Sequence, residues 1–81
     1  MKVRVEFYSR LREIVGAPAR EIALDDGATV GRLSEELGRD YPKLRDFERS
    51  MLFGIGVEFV ERDHVLKDGD VVAIMPPVQG G

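Results

Sequence analysis

The chain has 81 residues, 43% of them hydrophobic and 33% charged, with a net charge of −3 and no cysteine. That length accommodates one small domain and leaves no room for a second, and the missing cysteine excludes disulfide staples, thiolate metal ligation and a cysteine nucleophile. The charge supplies no general basic field for nucleic acid or an anionic membrane, so a protein partner or a small molecule is the expected counterpart.

The opening residues MKVRVEFY alternate, with Val3, Val5 and Phe7 on one parity and Lys2, Arg4, Glu6 and Tyr8 on the other. This is the two-residue period of a half-buried strand, and it puts Tyr8 on the outward side. The segment lacks the continuous apolar run of a signal peptide and nothing further along approaches membrane-spanning length, which makes the cytoplasm the expected location. In SRLREIVG, Ser9 is placed to cap a short helix carrying Leu11, Ile14 and Val15, and Gly16 to stop it in the left-handed conformation. Arg20 to Leu24 alternates again, with Ile22 and Leu24 sharing a face, and Asp25-Asp26-Gly27 reads as a turn.

Thr29 is placed to cap the main helix, in which Val30, Leu33 and Leu37 recur at helical spacing while Arg32, Glu35, Glu36 and Arg39 take the other side. Gly38 within it signals close packing or an early stop, and Pro42 marks the end. Residues 43–50, KLRDFERS, read as a loop with room for a helical turn, anchored by Leu44 and Phe47. Met51 to Val60 reads as a strand or a bent strand pair, with Gly54 and Gly56 permitting a bulge or close approach. Lys67-Asp68-Gly69-Asp70 is a turn, because two carboxylates are too few for a calcium loop. Val71 to Met75 is a short apolar strand of the sheet centre, ended by Pro76 and Pro77. Val3, Val5, Phe7, Leu11, Ile22, Leu24, Leu33, Leu37, Leu44, Val72 and Ile74 are expected to supply most of the core.

This order of elements gives an α+β fold of the β-grasp, ubiquitin-like kind: a mixed sheet with one main helix packed across one face, its first and last strands parallel at the centre. Residues 1–75 form the domain and residues 76–81 an extended tail ending in Gly-Gly. When extended, that tail spans roughly 20 Å, and its glycines allow a partner to close around bare backbone.

The opening strand running into FYSRLREIVG, the helix after DGATV, the block LKDGDVVAIMPPV and the final Gly80-Gly81 together resemble the MoaD family, the small ubiquitin-like sulfur-carrier subunits of molybdopterin synthase. The resemblance spans essentially the whole chain, and PPVQGG after DGD is its most specific part. One departure is that Gly56-Val57 stands where the family carries an Asn-Gly turn, which leaves the register of the middle strands open.

The resemblance implies that Gly81 acts through its terminal carboxylate, which with a pKa of about 3.5 is ionised and a poor electrophile until activated. A MoeB-like enzyme uses ATP to attach AMP, and a sulfur donor protein displaces the AMP to leave a thiocarboxylate. Gly80 and Gly81 then enter the active site of a MoaE-like large subunit, where sulfur passes to a pyranopterin precursor of the molybdenum cofactor. Two small subunits and a dimer of large ones form the implied heterotetramer. No permanently bound cofactor and no metal are implied, and ATP belongs to the activating enzyme. Tyr8, Phe59 and Met75 match apolar partner-contacting positions, and Arg12 matches an arginine near the activating-enzyme contact.

Ordinary surface roles stand beside these. Each of the three apolar residues could top the core or sit singly exposed, Arg12 could simply solubilise its helix, and lone His64 reads as a surface residue. No nucleophile-base pair, metal cluster or phosphate loop is visible, so a free-standing enzyme is not expected. The remaining readings are sulfur delivery to thiamin thiazole or transfer RNA, ubiquitin-like conjugation to lysine, and a binding module with an inert tail.

Overall fold

The computed structural model describes residues 1–77. The alternation at the start of the chain becomes strand β1 (Lys2–Phe7), followed by helix α1 (Arg10–Val15), strand β2 (Ala19–Ala23), helix α2 (Val30–Asp40), a 3-10 helix (Pro42–Phe47), and strands β3 (Leu52–Ile55), β4 (Glu58–Val60) and β5 (Val71–Met75). The strands form one sheet in the order β2-β1-β5-β3-β4, with β1 and β5 parallel and the other pairs antiparallel. This is the expected β-grasp, with the first and last strands side by side in the middle of the sheet.

Val3, Val5 and Phe7 on β1 and Val72 and Ile74 on β5 all point inward and are fully buried, because both strands have neighbours on each side and a helix over one face. Helix α2 supplies that cover through Val30, Leu33 and Leu37, which are also fully buried. Each such side chain contributes about 1.5–3 kcal/mol relative to exposure, which is substantial in so small a core. The Thr29 hydroxyl caps α2 as expected, accepting the Arg32 N–H at 3.2 Å. Gly38 is buried because Arg45 of the 3-10 helix lies against it; a Cβ there would stand 3.3 Å from Arg45 Cγ. The segment read as a loop is therefore mostly 3-10 helix, pinned by buried Leu44.

Two expectations need correction. Ser9 does not cap α1: its side chain makes no cap hydrogen bond and its backbone lies at φ 54, ψ −131. It is the first central residue of a tight turn closed by the Leu11 N–H donating to the Tyr8 carbonyl at 3.2 Å. Gly16 does end α1 in the left-handed conformation, at φ 82. Ile22 is only half-buried, since β2 is an edge strand, and Val15, Val30, Met51, Phe53 and Leu66 complete the core instead.

The open question at Gly56-Val57 has a simple answer. Ile55 pairs with Glu58, so the two residues form a two-residue hairpin loop, with Gly56 at φ 63 and Val57 outside the positive-φ set. Glycine first and an ordinary φ second is the type II′ pattern, whereas Asn-Gly favours type I′; both keep the same loop length and register. At the last turn, Asp68 accepts the Lys2 N–H and Asp70 the Lys67 N–H, each at 2.8 Å, so both carboxylates shape the chain. No helix among the described residues is long and apolar enough to cross a membrane.

Candidate functional site

The face of the sheet opposite α2 is set by strand parity. On β1 the even residues point away from the core, and on β5 the odd ones do, so Tyr8 and Met75 both face outward. The Tyr8 N–H donates to the Ile74 carbonyl at 3.1 Å, which keeps Tyr8 on the β5 ladder next to Met75. Across the sheet, Glu6 pairs with Ala73, Ala73 with Gly54, and Gly54 with Phe59; in the next row, Met75 pairs with Leu52.

Gly54 keeps the middle of this face low. A Cβ at that position would stand 3.6 Å from Met75 Cε, so the methionine side chain lies over the glycine. The result is a shallow depression of ≈ 200 Å³ whose lining includes Tyr8, Gly54, Phe59, Ala73 and Met75. Phe59 is 70% exposed, Tyr8 40% and Leu52 37%, while Met75 is half-buried. Phe59 therefore does not top the core, and these side chains form a connected apolar patch, the kind of surface that marks an interaction site.

The structure thus brings Tyr8, Phe59 and Met75 together. It adds Leu52, directly across from Met75, and Val57, fully exposed at the hairpin tip. Sequence reasoning missed both because two glycines obscure the parity between residues 51 and 60. Pairing with Met75 is the signal that identifies Leu52.

Arg12 does not line this depression. Its Nε donates to the Phe7 carbonyl at 3.3 Å, tying α1 to the end of β1. Gly80 and Gly81 lie outside the described residues; the described chain ends at Pro76-Pro77, leaving the sheet from its central strand. His64 is exposed, and no three His, Cys, Asp or Glu side chains gather as a metal site among the described residues. A second hollow, of ≈ 230 Å³ between α2 and the 3-10 helix, is lined by Glu35, Arg39, Arg45 and Glu48, whose charges cancel. It offers no comparable single chemistry.

A model described as the ThiS family matches residues 5–81. The chain is 34% identical over 82 residues to the molybdopterin synthase sulfur carrier subunit of Mycobacterium tuberculosis, covering 100% of this chain and 99% of that one. It is also 34% identical over 92 residues to small archaeal modifier protein 3 of Haloferax volcanii, covering 100% of both. Among solved structures, a Pyrococcus furiosus protein provisionally described as molybdopterin converting factor subunit 1 superposes with a TM-score of 0.86 at 32% identity, covering 96% of this chain and 99% of that one.

Proposed function

Since the chain belongs to the ThiS family, we propose that it is a sulfur-carrier protein serving as the small subunit of a molybdopterin synthase. The observation that carries this reading is the apolar face of Tyr8, Phe59 and Met75, which includes the last residue of the central strand β5, directly before Pro76. A large subunit of MoaE type docks on that face and receives the tail in its active site. Similarity along the full length of the M. tuberculosis sulfur carrier supports the choice of pathway.

The working group is the carboxylate of Gly81. Being ionised at neutral pH, it resists nucleophilic attack, so a MoeB-like enzyme first joins it to AMP from ATP and releases pyrophosphate. A sulfur donor protein then supplies sulfur at the sulfide oxidation level, which bonds to the acyl carbon as the C–O bond to AMP breaks and AMP leaves with the bonding electron pair, and a thiocarboxylate remains. In the large subunit's active site the sulfur moves to the pyranopterin precursor, and oxygen from water restores the carboxylate. Gly80 and Gly81 present no side chain to the channel they enter. The carrier acts in the cytoplasm, in a heterotetramer built on a dimer of large subunits, with Arg12 facing the activating enzyme.

Intact mass spectrometry tests the chemistry. After incubation with ATP, the activating enzyme and a sulfur donor, the chain should gain the mass of one sulfur-for-oxygen exchange, located at Gly81. Deleting Gly81 should abolish that gain while leaving large-subunit binding in place. An unchanged mass for the full chain would overturn the carrier reading. The identity to small archaeal modifier protein 3 favours a second reading, conjugation of Gly81 to a lysine. That would appear as a covalent adduct with another protein rather than a thiocarboxylate.

A further inference from the structure

Two prolines withhold the hydrogen-bond donors that the end of β1 would ordinarily receive. On the β2 side, the Phe7 N–H donates to the Pro18 carbonyl at 2.9 Å. An antiparallel pair returns that bond from the partner's N–H, and proline has none. The orphaned Phe7 carbonyl is met instead by Arg12 Nε at 3.3 Å. On the β5 side, the Tyr8 N–H donates to Ile74, and the next rung of a parallel ladder would come from residue 76, again a proline. The Tyr8 carbonyl takes the Leu11 N–H at 3.2 Å, which closes the turn through Ser9 at φ 54.

A non-glycine residue in that backbone region persists only where its surroundings over-determine it. Here the determinants are buried Leu11, the Tyr8–Ile74 and Leu11–Tyr8 bonds, the Arg12 N–H donating to the Ser9 carbonyl at 3.1 Å, and the Arg12–Phe7 bond. We infer that Arg12 is a positioning residue whose guanidinium replaces the donor Pro18 lacks, fixing the corner from Tyr8 to Leu11 and holding Tyr8 beside Met75. The bond uses Nε and leaves both Nη groups for the activating enzyme. Its consequence for docking rests on the proposed role of the Tyr8 face, whereas the local geometry stands apart from that role.

The test is a rescue. Arg12→Ala should weaken association with the large subunit by about fivefold, because the docking-competent orientation of Tyr8 becomes only partly populated. Pro18→Ala alone should bind like the parent chain. The double variant should recover parental affinity, since the new residue-18 N–H donates to the Phe7 carbonyl. An arginine that touched the large subunit directly could not be rescued this way, so a double variant as weak as Arg12→Ala overturns the inference.

Nuclear Overhauser contacts between Tyr8 and Met75 provide the partner-free readout. They should fade in Arg12→Ala and return in the double variant, together with slowed exchange of the residue-18 amide; contacts that persist in Arg12→Ala overturn the inference. A parent chain that does not bind the large subunit sinks the docking reading, and these contacts then decide the positioning role alone. If Arg12→Ala unfolds, recovery of the folded spectrum in the double variant is the supporting result and continued unfolding the opposing one.

Discussion

Ser9→Gly isolates the strain stored in the corner before α1. Ser9 lies at φ 54, ψ −131, the first central position of a type II′ turn, where glycine is the usual occupant. An L side chain held there costs about 1–3 kcal/mol. Glycine removes that cost and adds roughly 0.5–1 kcal/mol of chain entropy lost on folding, leaving a net stabilisation of about 1 kcal/mol. No hydrogen bond offsets the gain, because the Ser9 side chain makes no cap bond. In a domain of this size, 1 kcal/mol raises Tm by about 4–8 °C. Thermal and urea unfolding followed by circular dichroism measures it. Ser9→Ala is the control: it keeps the Cβ and the strain, so stability should move by less than about 0.5 kcal/mol. A glycine variant that melts at or below the parent refutes the strain argument, and an alanine variant that loses about 1 kcal/mol would mean that the hydroxyl caps after all.

Thr29→Ala should cost about 1 kcal/mol in urea unfolding, because it leaves the Arg32 N–H without its 3.2 Å partner at the start of α2. Gly56→Ala should cost about 1–2 kcal/mol, since φ 63 is unfavourable for an L residue. Replacing Gly56-Val57 by Asn-Gly instead changes the turn type and not its length, so stability should stay within about 0.5 kcal/mol and the Ile55–Glu58 pairing should survive in amide exchange. Tyr8→Asp and Met75→Asp should each reduce large-subunit affinity by roughly a hundredfold or more while leaving the circular dichroism unchanged, because each sets an unpaired carboxylate into the centre of the docked face. Unchanged affinity in titration calorimetry would remove that face from the docking surface.

The sheet centre is legible in the sequence because its strands carry distinct burial signatures. Lys2–Phe7 alternates, and Val71–Met75 is unbroken and apolar, so inward and outward residues follow from parity once the two strands are neighbours. Tyr8 and Met75 could be placed on one face from that alone, whereas Phe59 needed the family resemblance. Residues 51–60 defeat parity, since Gly54 contributes no side chain to either face and Gly56 serves the turn. Phe53 as core and Leu52 as surface emerge only with the pairing to β5. Ser9 is illegible for another reason. A serine before a helical stretch normally caps it, and what prevails here is tertiary: Tyr8 must remain on the β5 ladder while Leu11 is buried one turn later. Pro76 reads locally as a strand breaker, and Pro18 stands just before β2. That they flank the same strand end, and that one of them leaves a carbonyl to Arg12, depends on the sheet order.

Leu52 provides a sharper test of the docking face than any residue named from resemblance. It is 37% exposed and pairs directly with Met75, so a partner that covers Tyr8 and Met75 must also cover Leu52. Val65 is more exposed, at 54%, but bridges to Thr29 at the start of α2 and belongs to no strand of the sheet. If exposure alone governed association, Val65→Asp would be the more damaging change. If the sheet face governs it, Leu52→Asp should weaken binding about as much as Met75→Asp, and Val65→Asp should leave it within twofold of the parent, as expected for a residue outside the interface. Competition between labelled parent and unlabelled variants for the large subunit ranks all three in one experiment. A Val65 effect equal to that of Leu52 would move the docking surface off the sheet face and toward the helix side.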